Sequence, residues 1–126
     1  MTLLVILTVL IVFFIAEVLF PLFRYIIPRF YLVMGDSMHP TLSEGDVVMG
    51  FKQHPTKLLE NGRIYGYRLP LDEKKWVIKR LIYQVGNECF FQGDNPGSSI
   101  DSRDYGLVDR NKIMFEVHWH KDMQRG

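Results

Sequence analysis

The sequence has little that could fix its fold by covalent or metal chemistry. It contains one cysteine, Cys89, so it cannot form an intramolecular disulfide or a cysteine-based zinc site. Neither sign of charge dominates, because the 126 residues include 15 Lys and Arg against 14 Asp and Glu. Proteins that bind nucleic acids usually carry a basic excess, so we expect no nucleic acid partner. A folded domain must therefore be stabilised by its own apolar core.

An apolar run at the N-terminus is the largest feature that is present. Residues 3–23 contain only Thr8, Glu17 and Pro21 as exceptions, and no Lys or Arg precedes Arg24. A helix of that length spans about 31 Å, which matches a hydrocarbon core of about 30 Å. A cleavable signal peptide has a basic start and a shorter apolar stretch. We therefore interpret residues 1–24 as a retained transmembrane anchor and residues 25–126 as one domain.

The pattern after Pro28 changes to short segments in which apolar and polar residues alternate. Such alternation, bounded by turn-forming residues such as Gly86 and Asn87, is typical of strands. Strands are predicted over residues 30–34, 46–52, 63–69, 75–85, 88–92 and 112–119. No amphipathic helix stands out, so the sequence predicts a small, mostly β barrel or sandwich behind the N-terminal helix.

One turn-rich segment places a serine directly after a predicted strand. Residues 35–42 read Gly-Asp-Ser-Met-His-Pro-Thr-Leu, and taken alone this composition is typical of a surface loop. The hydroxyl of Ser37 becomes a useful nucleophile only if a nearby base removes its proton. The sequence must therefore supply a histidine, a lysine or a terminal amine close to it.

Lys79 is a candidate for that base. Strand alternation places it on the face that Val77, Leu81 and Tyr83 share. Burial among apolar side chains disfavours the ammonium form and lowers the pKa of a lysine, so a neutral Lys79 could accept the proton of Ser37. The alternative is a lysine on an edge strand whose ammonium reaches water.

Residues 93–106 form a polar segment that alone would be a loop. Within it, Asp101 and Arg103 could pair, and Ser99 offers a hydroxyl that could orient a neutral amine. Histidine chemistry is the rival, because members of a Ser-His triad come from distant parts of a chain. His118 and His120 lie on one face of the last predicted strand, but no third metal ligand is spaced to help them.

Taken together, these segments resemble the type I signal (leader) peptidase family, which are membrane-anchored serine proteases with a Ser-Lys dyad. The resemblance is carried, in the family's order, by residues 35–42, 45–48, Lys79-Arg80, 93–99, 101–103 and Gly106. It implies that Ser37 is the acylated nucleophile and Lys79 the general base. It also implies that Ser99 orients the lysine amine and that Asp101 and Arg103 form a structural ion pair.

The resemblance also implies what the protein acts on and where. The substrates would be preproteins that carry signal peptides, and no metal or organic cofactor is implied. Arg24 and Arg29 alone would favour a cytoplasmic domain, whereas family members act on the trans side of a plasma membrane or an organellar inner membrane. Some members carry a side-chain oxyanion donor where this chain has Gly35. Two alternatives are a maturation protease dedicated to one partner and a membrane-tethered module that only binds peptides.

Overall fold

The computed structural model describes the backbone of residues 1–120 and the side chains of residues 1–118. It begins with helix α1, Thr2–Ile26, none of whose residues is buried. At about 1.5 Å per residue the helix is long enough to cross a membrane, and its composition is apolar enough. It ends at Ile26 because Pro28 disfavours a helical conformation at Ile27, which is extended at φ −83° and ψ 119°.

The rest of the described chain folds around one antiparallel sheet. Its seven strands lie in the order β1-β2-β7-β3-β4-β5-β6. Their bounds are Arg29–Leu32, Val47–Lys52, Ile64–Arg68, Trp76–Val85, Glu88–Gln92, Val108–Asp109 and Ile113–His120 for β1 to β7 in chain order. The predicted mostly β domain behind an N-terminal apolar helix is confirmed. The sequence pattern did not indicate β6 or the short helix α2, Ser102–Tyr105.

Two apolar clusters cover the two faces of the sheet. Because consecutive strand residues point to opposite faces, Ile64 and Ile78 belong to one cluster, whereas Tyr65 and Leu81 belong to the other. We call the first the Phe115 cluster, since that buried ring packs against Tyr31 with a centroid distance of 3.8 Å. We call the second the Phe91 cluster, which also contains Leu59, Tyr67, Cys89 and Val108.

Strand β4 contains an irregularity that corrects one prediction. Leu81 pairs with Phe91 of β5, but Tyr83 pairs with Phe90, so the register shifts between Leu81 and Tyr83. An extra residue in one strand reverses the alternation beyond it. Tyr83 therefore lies on the opposite face from Leu81, is exposed, and stacks on Phe90. The prediction that Tyr83 shares a face with Lys79 is wrong, whereas Val77 and Leu81 both join the Phe91 cluster.

Candidate active site

Ser37 lies in a tight segment between β1 and β2, over residues 35–42, which we call the serine loop. Gly35 has φ +77°, a backbone conformation that glycine adopts without strain. Met38 and Leu42 are buried in the Phe115 cluster, and the amide of Leu42 donates to the carbonyl of Met38 at 2.9 Å. These two side chains hold the loop on the core and leave Ser37 half-buried at its edge.

A cleft of about 420 Å³ opens beside the serine loop. Ser37 and Lys79 both line it, and most of the other lining side chains are apolar, including Leu32, Met38, Leu69, Trp76 and Ile78. Apolar walls of this kind exclude water from polar groups and accept apolar parts of a ligand. The fold thus brings Ser37, from a loop, and Lys79, from a strand, to one cavity, although they are 42 residues apart in the sequence.

Lys79 projects from β4, opposite Tyr65 of β3, and is only 4% exposed. Burial lowers the pKa of its amine below the ordinary value, the negative charge of Asp101 partly opposes this effect, and the positive charge of Arg103 adds to it. No carboxylate of residues 1–118 forms an ion pair with Lys79. A buried lysine without a paired carboxylate favours its neutral form.

Asp101 organises the segment that follows β5. It is fully buried and accepts hydrogen bonds from the backbone amide of Gly93 at 2.9 Å, from Ser99 Oγ at 2.6 Å, and from the amide and guanidinium of Arg103. Burial alone would raise the pKa of Asp101, but these donors stabilise the carboxylate and hold its pKa well below the usual range. The group remains ionised, and it also begins helix α2 as the N-cap residue.

The orientation of Ser99 follows from that arrangement. A hydroxyl has one proton to donate and two lone pairs to accept with. Ser99 Oγ donates its proton to Asp101 Oδ2, so its lone pairs face any other donor that approaches. A nearby amine could then only donate an N–H to Ser99 Oγ, and the lone pair of that amine would point away from Ser99.

Gly93 is a residue whose role the sequence did not reveal. A Cβ atom at this position would lie 2.2 Å from Ser99 Oγ and 2.5 Å from the carbonyl oxygen of Ser37. Only glycine therefore allows the backbone to pass between these two residues. Next to it, the amide of Asn95 donates to the carbonyl of Ser37 at 2.9 Å, and Asn95 Nδ2 donates to the carbonyl of Asp36 at 3.1 Å.

A second carboxylate, Asp94, joins the serine loop to β4. It accepts two hydrogen bonds from Arg80, at 2.8 and 2.6 Å, and one from Thr41 Oγ1 at 2.5 Å. Arg80 follows Lys79 in the strand and Thr41 belongs to the serine loop, so one carboxylate connects both elements. Sequence reasoning assigned no role to these three residues, although Arg80 adjacent to Lys79 and Asp94 adjacent to Gly93 lay within the segments that it singled out.

Other details bear on the chemistry available to Ser37. Among the described residues, the Ser37 hydroxyl makes no hydrogen bond with Lys79 or with any other side chain, and the Ser37 amide N–H has no hydrogen-bond acceptor among them either. That amide is available to a ligand oxygen. The amide of Gly35, two residues earlier, donates to Glu44 Oε1 over a long 3.5 Å.

The structure describes the side chains of three of the four histidines. His39 Nδ1 contacts Ser43 Oγ at 3.4 Å, His54 Nδ1 accepts from Thr56, and His118 Nε2 lies 3.3 Å from Glu116 Oε2. None of these three lines the cleft that Ser37 and Lys79 share. The side chain of His120 lies outside the described residues. Within the described part of the chain, no group of three His, Cys, Asp or Glu side chains is placed to hold a metal ion.

The chain matches a known protein family. No curated protein matches the chain in a sequence search. Residues 4–87, which are 84 of the 126 residues, match the family described as signal peptidase, peptidase S26. The matched range includes Ser37 and Lys79 and ends before Ser99. The match confirms the resemblance seen in the sequence. Members of this family are serine peptidases that act on signal peptides. The chain belongs to the signal peptidase family, peptidase S26.

Proposed function

We propose that this signal-peptidase-type protease removes N-terminal signal or leader peptides through a dyad of Ser37 and Lys79. One observation carries the proposal: a lysine that is 4% exposed, with a pKa lowered by burial, lines the same cleft as the serine. Residues 1–24 would anchor the chain in the membrane and residues 25–126 would form the catalytic domain. The catalytic domain would act on the trans side, where translocated preproteins emerge.

In the first half of the reaction, neutral Lys79 Nζ takes the proton of Ser37 Oγ while the oxygen attacks the carbonyl carbon of the scissile bond. The carbonyl oxygen becomes an oxyanion, which the free amide of Ser37 can bind. The protonated Lys79 then gives its proton to the leaving nitrogen, the C–N bond breaks, and an ester joins the leader peptide to Ser37.

In the second half, Lys79 takes a proton from water, and the hydroxide oxygen attacks the ester carbon. The C–O bond to Ser37 breaks, Ser37 Oγ recovers the proton, and the leader peptide leaves with a free carboxylate. Proton transfer requires a hydrogen bond between Ser37 Oγ and Lys79 Nζ. Such bonds are often long or misaligned in free enzymes and close when substrate binds.

Ser99 and Asp101 would position the base. Because Ser99 gives its only proton to Asp101, it can accept an N–H from the neutral amine of Lys79. The lone pair of that amine would then point away from Ser99 and toward the cleft. Arg103 would keep Asp101 ionised, so that the acceptor role of Ser99 does not change over the working pH range.

The sheet offers a place for an extended substrate. Strand β1 pairs only with β2 within the described sheet, so its other edge is open. Leu32 at the end of that strand, with Val33 and Met34 after it, lines the cleft beside Ser37. An extended peptide could pair with an open edge by adding a strand. The small side chains of the substrate near the cut would then enter the cleft that Ser37 and Lys79 line.

The dyad is tested by cleavage of a presequence substrate by the full chain in a membrane or detergent. Ser37→Ala and Lys79→Ala should each abolish cleavage while the chain still folds. Ser98→Ala and Lys57→Ala are controls, because these residues lie outside the cleft, and both should retain cleavage. Full activity of either dyad variant would exclude the mechanism. Binding of the presequence without cleavage by the wild type would point to a peptide-binding module instead.

A further inference from the structure

Two clefts meet where helix α1 joins the sheet, and Arg29 lines both. The first, which we call the apolar cleft, has a volume of about 430 Å³ and is lined by Phe20, Pro21, Phe23, Arg24, Ile27 and Arg29. The second, which we call the cationic cleft, has a volume of about 280 Å³. Its polar lining consists of Arg29, Tyr31, Lys52, Arg68, Asn111 and Lys112.

Among residues 1–118, the lining of the cationic cleft has four positively charged side chains and no carboxylate. Lys112 is paired with Glu73, and Arg68 Nη1 donates to the carbonyl of Glu73 at 2.8 Å. Arg29 and Lys52 form no ion pair with any carboxylate of residues 1–118. Two uncompensated cations in one concave surface attract an anion with several oxygen acceptors.

The junction residues Arg24 and Lys52 also meet around one aromatic ring. The Arg24 guanidinium lies 5.0 Å and Lys52 Nζ lies 5.9 Å from the ring centre of Tyr25, and Arg24 donates to the Tyr25 hydroxyl at 3.1 Å. Tyr25 itself packs on His54 with a centroid distance of 4.8 Å. The contact between Lys52 and Tyr25 thus places the last turn of α1 against β2, beside the two clefts.

The apolar cleft determines what kind of anion fits. Phe20 and Ile27 are exposed, at 79% and 49%, and their neighbours in the cleft are apolar apart from the two arginines. If α1 crosses a membrane, these residues lie at the boundary between hydrocarbon and headgroups. A soluble phosphate would leave this surface uncovered, whereas an acyl chain would cover it.

We propose that the two clefts together bind one anionic phospholipid. Its phosphate and headgroup would lie in the cationic cleft against Arg29 and Lys52, and the upper part of one acyl chain would lie in the apolar cleft against Phe20 and Ile27. The inference rests on the proposed membrane position of α1 but not on the dyad. It assigns this junction a headgroup preference that is separate from peptide cleavage.

The test measures lipid preference of the full chain in nanodiscs that contain equal amounts of phosphatidylcholine and phosphatidylglycerol. Spin-labelled forms of the two lipids report how strongly each associates with the protein. The wild type should favour phosphatidylglycerol by about fivefold or more, since one basic residue near an anionic surface corresponds to a factor of about five. Arg29→Gln combined with Lys52→Gln should remove most of that preference.

Arg63→Gln is a control, because it removes one positive charge at the opposite end of β3 from Arg68, outside both clefts, and should keep the preference. A preference of the double variant equal to that of the wild type would overturn the proposal. Loss of the wild-type preference on adding millimolar glycerophosphate would also overturn it, since the site would then bind a soluble phosphate.

Ser37→Ala should retain the lipid preference. Cleavage without lipid preference would reject only this inference, and lipid preference without cleavage would reject only the proposed dyad.

Discussion

Two carboxylates seven residues apart, Asp94 and Asp101, hold the two halves of the candidate site in different ways. Asp94 binds Arg80 and Thr41, and its side chain keeps 17% of its surface exposed. Asp101 binds Gly93, Ser99 and Arg103 and is fully buried. The first connects the serine loop to β4, and the second supports the surroundings of Lys79.

The two carboxylates also differ in their electrostatic effect on Lys79. Hydrogen bonds from Arg80, opposed by burial and supported by Thr41, lower the pKa of Asp94. Only Asp101 acts on the candidate base, because its charge raises the pKa of Lys79 while that of Asp94 has no resolved effect on it. Asp94 therefore joins the serine loop to β4, whereas Asp101 holds Ser99 and its charge acts on the pKa of Lys79, the proposed base.

Removing each carboxylate should give the largest contrast. We expect Asp101→Ala to lower the free energy of unfolding by roughly 3–5 kcal/mol, because a buried amide and a hydroxyl lose a charged acceptor. Asp94→Ala should cost only about 1 kcal/mol, since its ion pair is partly exposed. Denaturant unfolding of the full chain in detergent would measure both, with Asp72→Ala as control, since that side chain is 46% exposed. Equal losses for the two variants would contradict the distinction.

Gly93 lies between the two networks, and Gly93→Ala should disturb both. The new Cβ would meet Ser99 Oγ at 2.2 Å and the Ser37 carbonyl at 2.5 Å, so the serine loop and the Ser99 segment must move apart. Displacements of about 1 Å in a catalytic site can cost about a hundredfold in rate. We expect a loss of that order in the kcat of presequence cleavage.

Gly97→Ala is the matched control for Gly93→Ala, since the nearest atom to its Cβ would be Asn95 Oδ1 at an ordinary 3.9 Å. It should cleave the presequence like the wild type. A Gly93→Ala enzyme with unchanged kcat would show that the close passage between Ser37 and Ser99 is not needed for catalysis.

Most of the strands could be predicted because alternation of apolar residues is a local signal. Strand β6, Val108–Asp109, is too short to alternate, and helix α2 has four residues whose start depends on the side chain of Asp101. The prediction for Tyr83 was wrong because the bulge after Leu81 adds one residue to the strand, and residue types alone do not indicate such an insertion. Local patterns thus located the elements but not their irregularities.

The site was predictable only in part, for a related reason. Ser37 and Lys79 were singled out as candidates from the turn residues around the serine and from the apolar face of the lysine, and the family resemblance then assigned their roles. The role of Gly93 depends on a contact between segments far apart in the chain, and the pairing of Arg80 with Asp94 depends on how β4 and β5 are placed. Contacts of this kind arise from the tertiary fold, so spacing in the sequence does not encode them.

The loss of stability at low pH should also differ between the two carboxylates, by less than the effect of replacing them with alanine. Both have a folded-state pKa below the unfolded value of about 3.9, so each stabilises the fold above that pH, and the contribution is lost as pH falls through the folded pKa. Because the pKa of Asp101 is lowered further, Asp101→Asn should flatten the loss of stability below about pH 4 more than Asp94→Asn. Unfolding curves between neutral pH and pH 2 would measure this. Indistinguishable acid limbs in the two variants would remove the electrostatic part of the comparison.

The smallest predicted effect is a displacement of the pH–rate profile. The proposed base works only when neutral, so the rate of presequence cleavage should rise with pH to a plateau whose midpoint reflects the pKa of Lys79. The charge of Asp101 raises that pKa, so Asp101→Asn should move the midpoint to lower pH in whatever fraction of the enzyme remains folded. Asp94→Asn should reduce the plateau without moving the midpoint, because Asp94 positions the serine loop and not the amine. If Asp94→Asn moved the midpoint and Asp101→Asn did not, the roles of the two carboxylates would have to be exchanged, and the support of the base would lie in the Arg80 network.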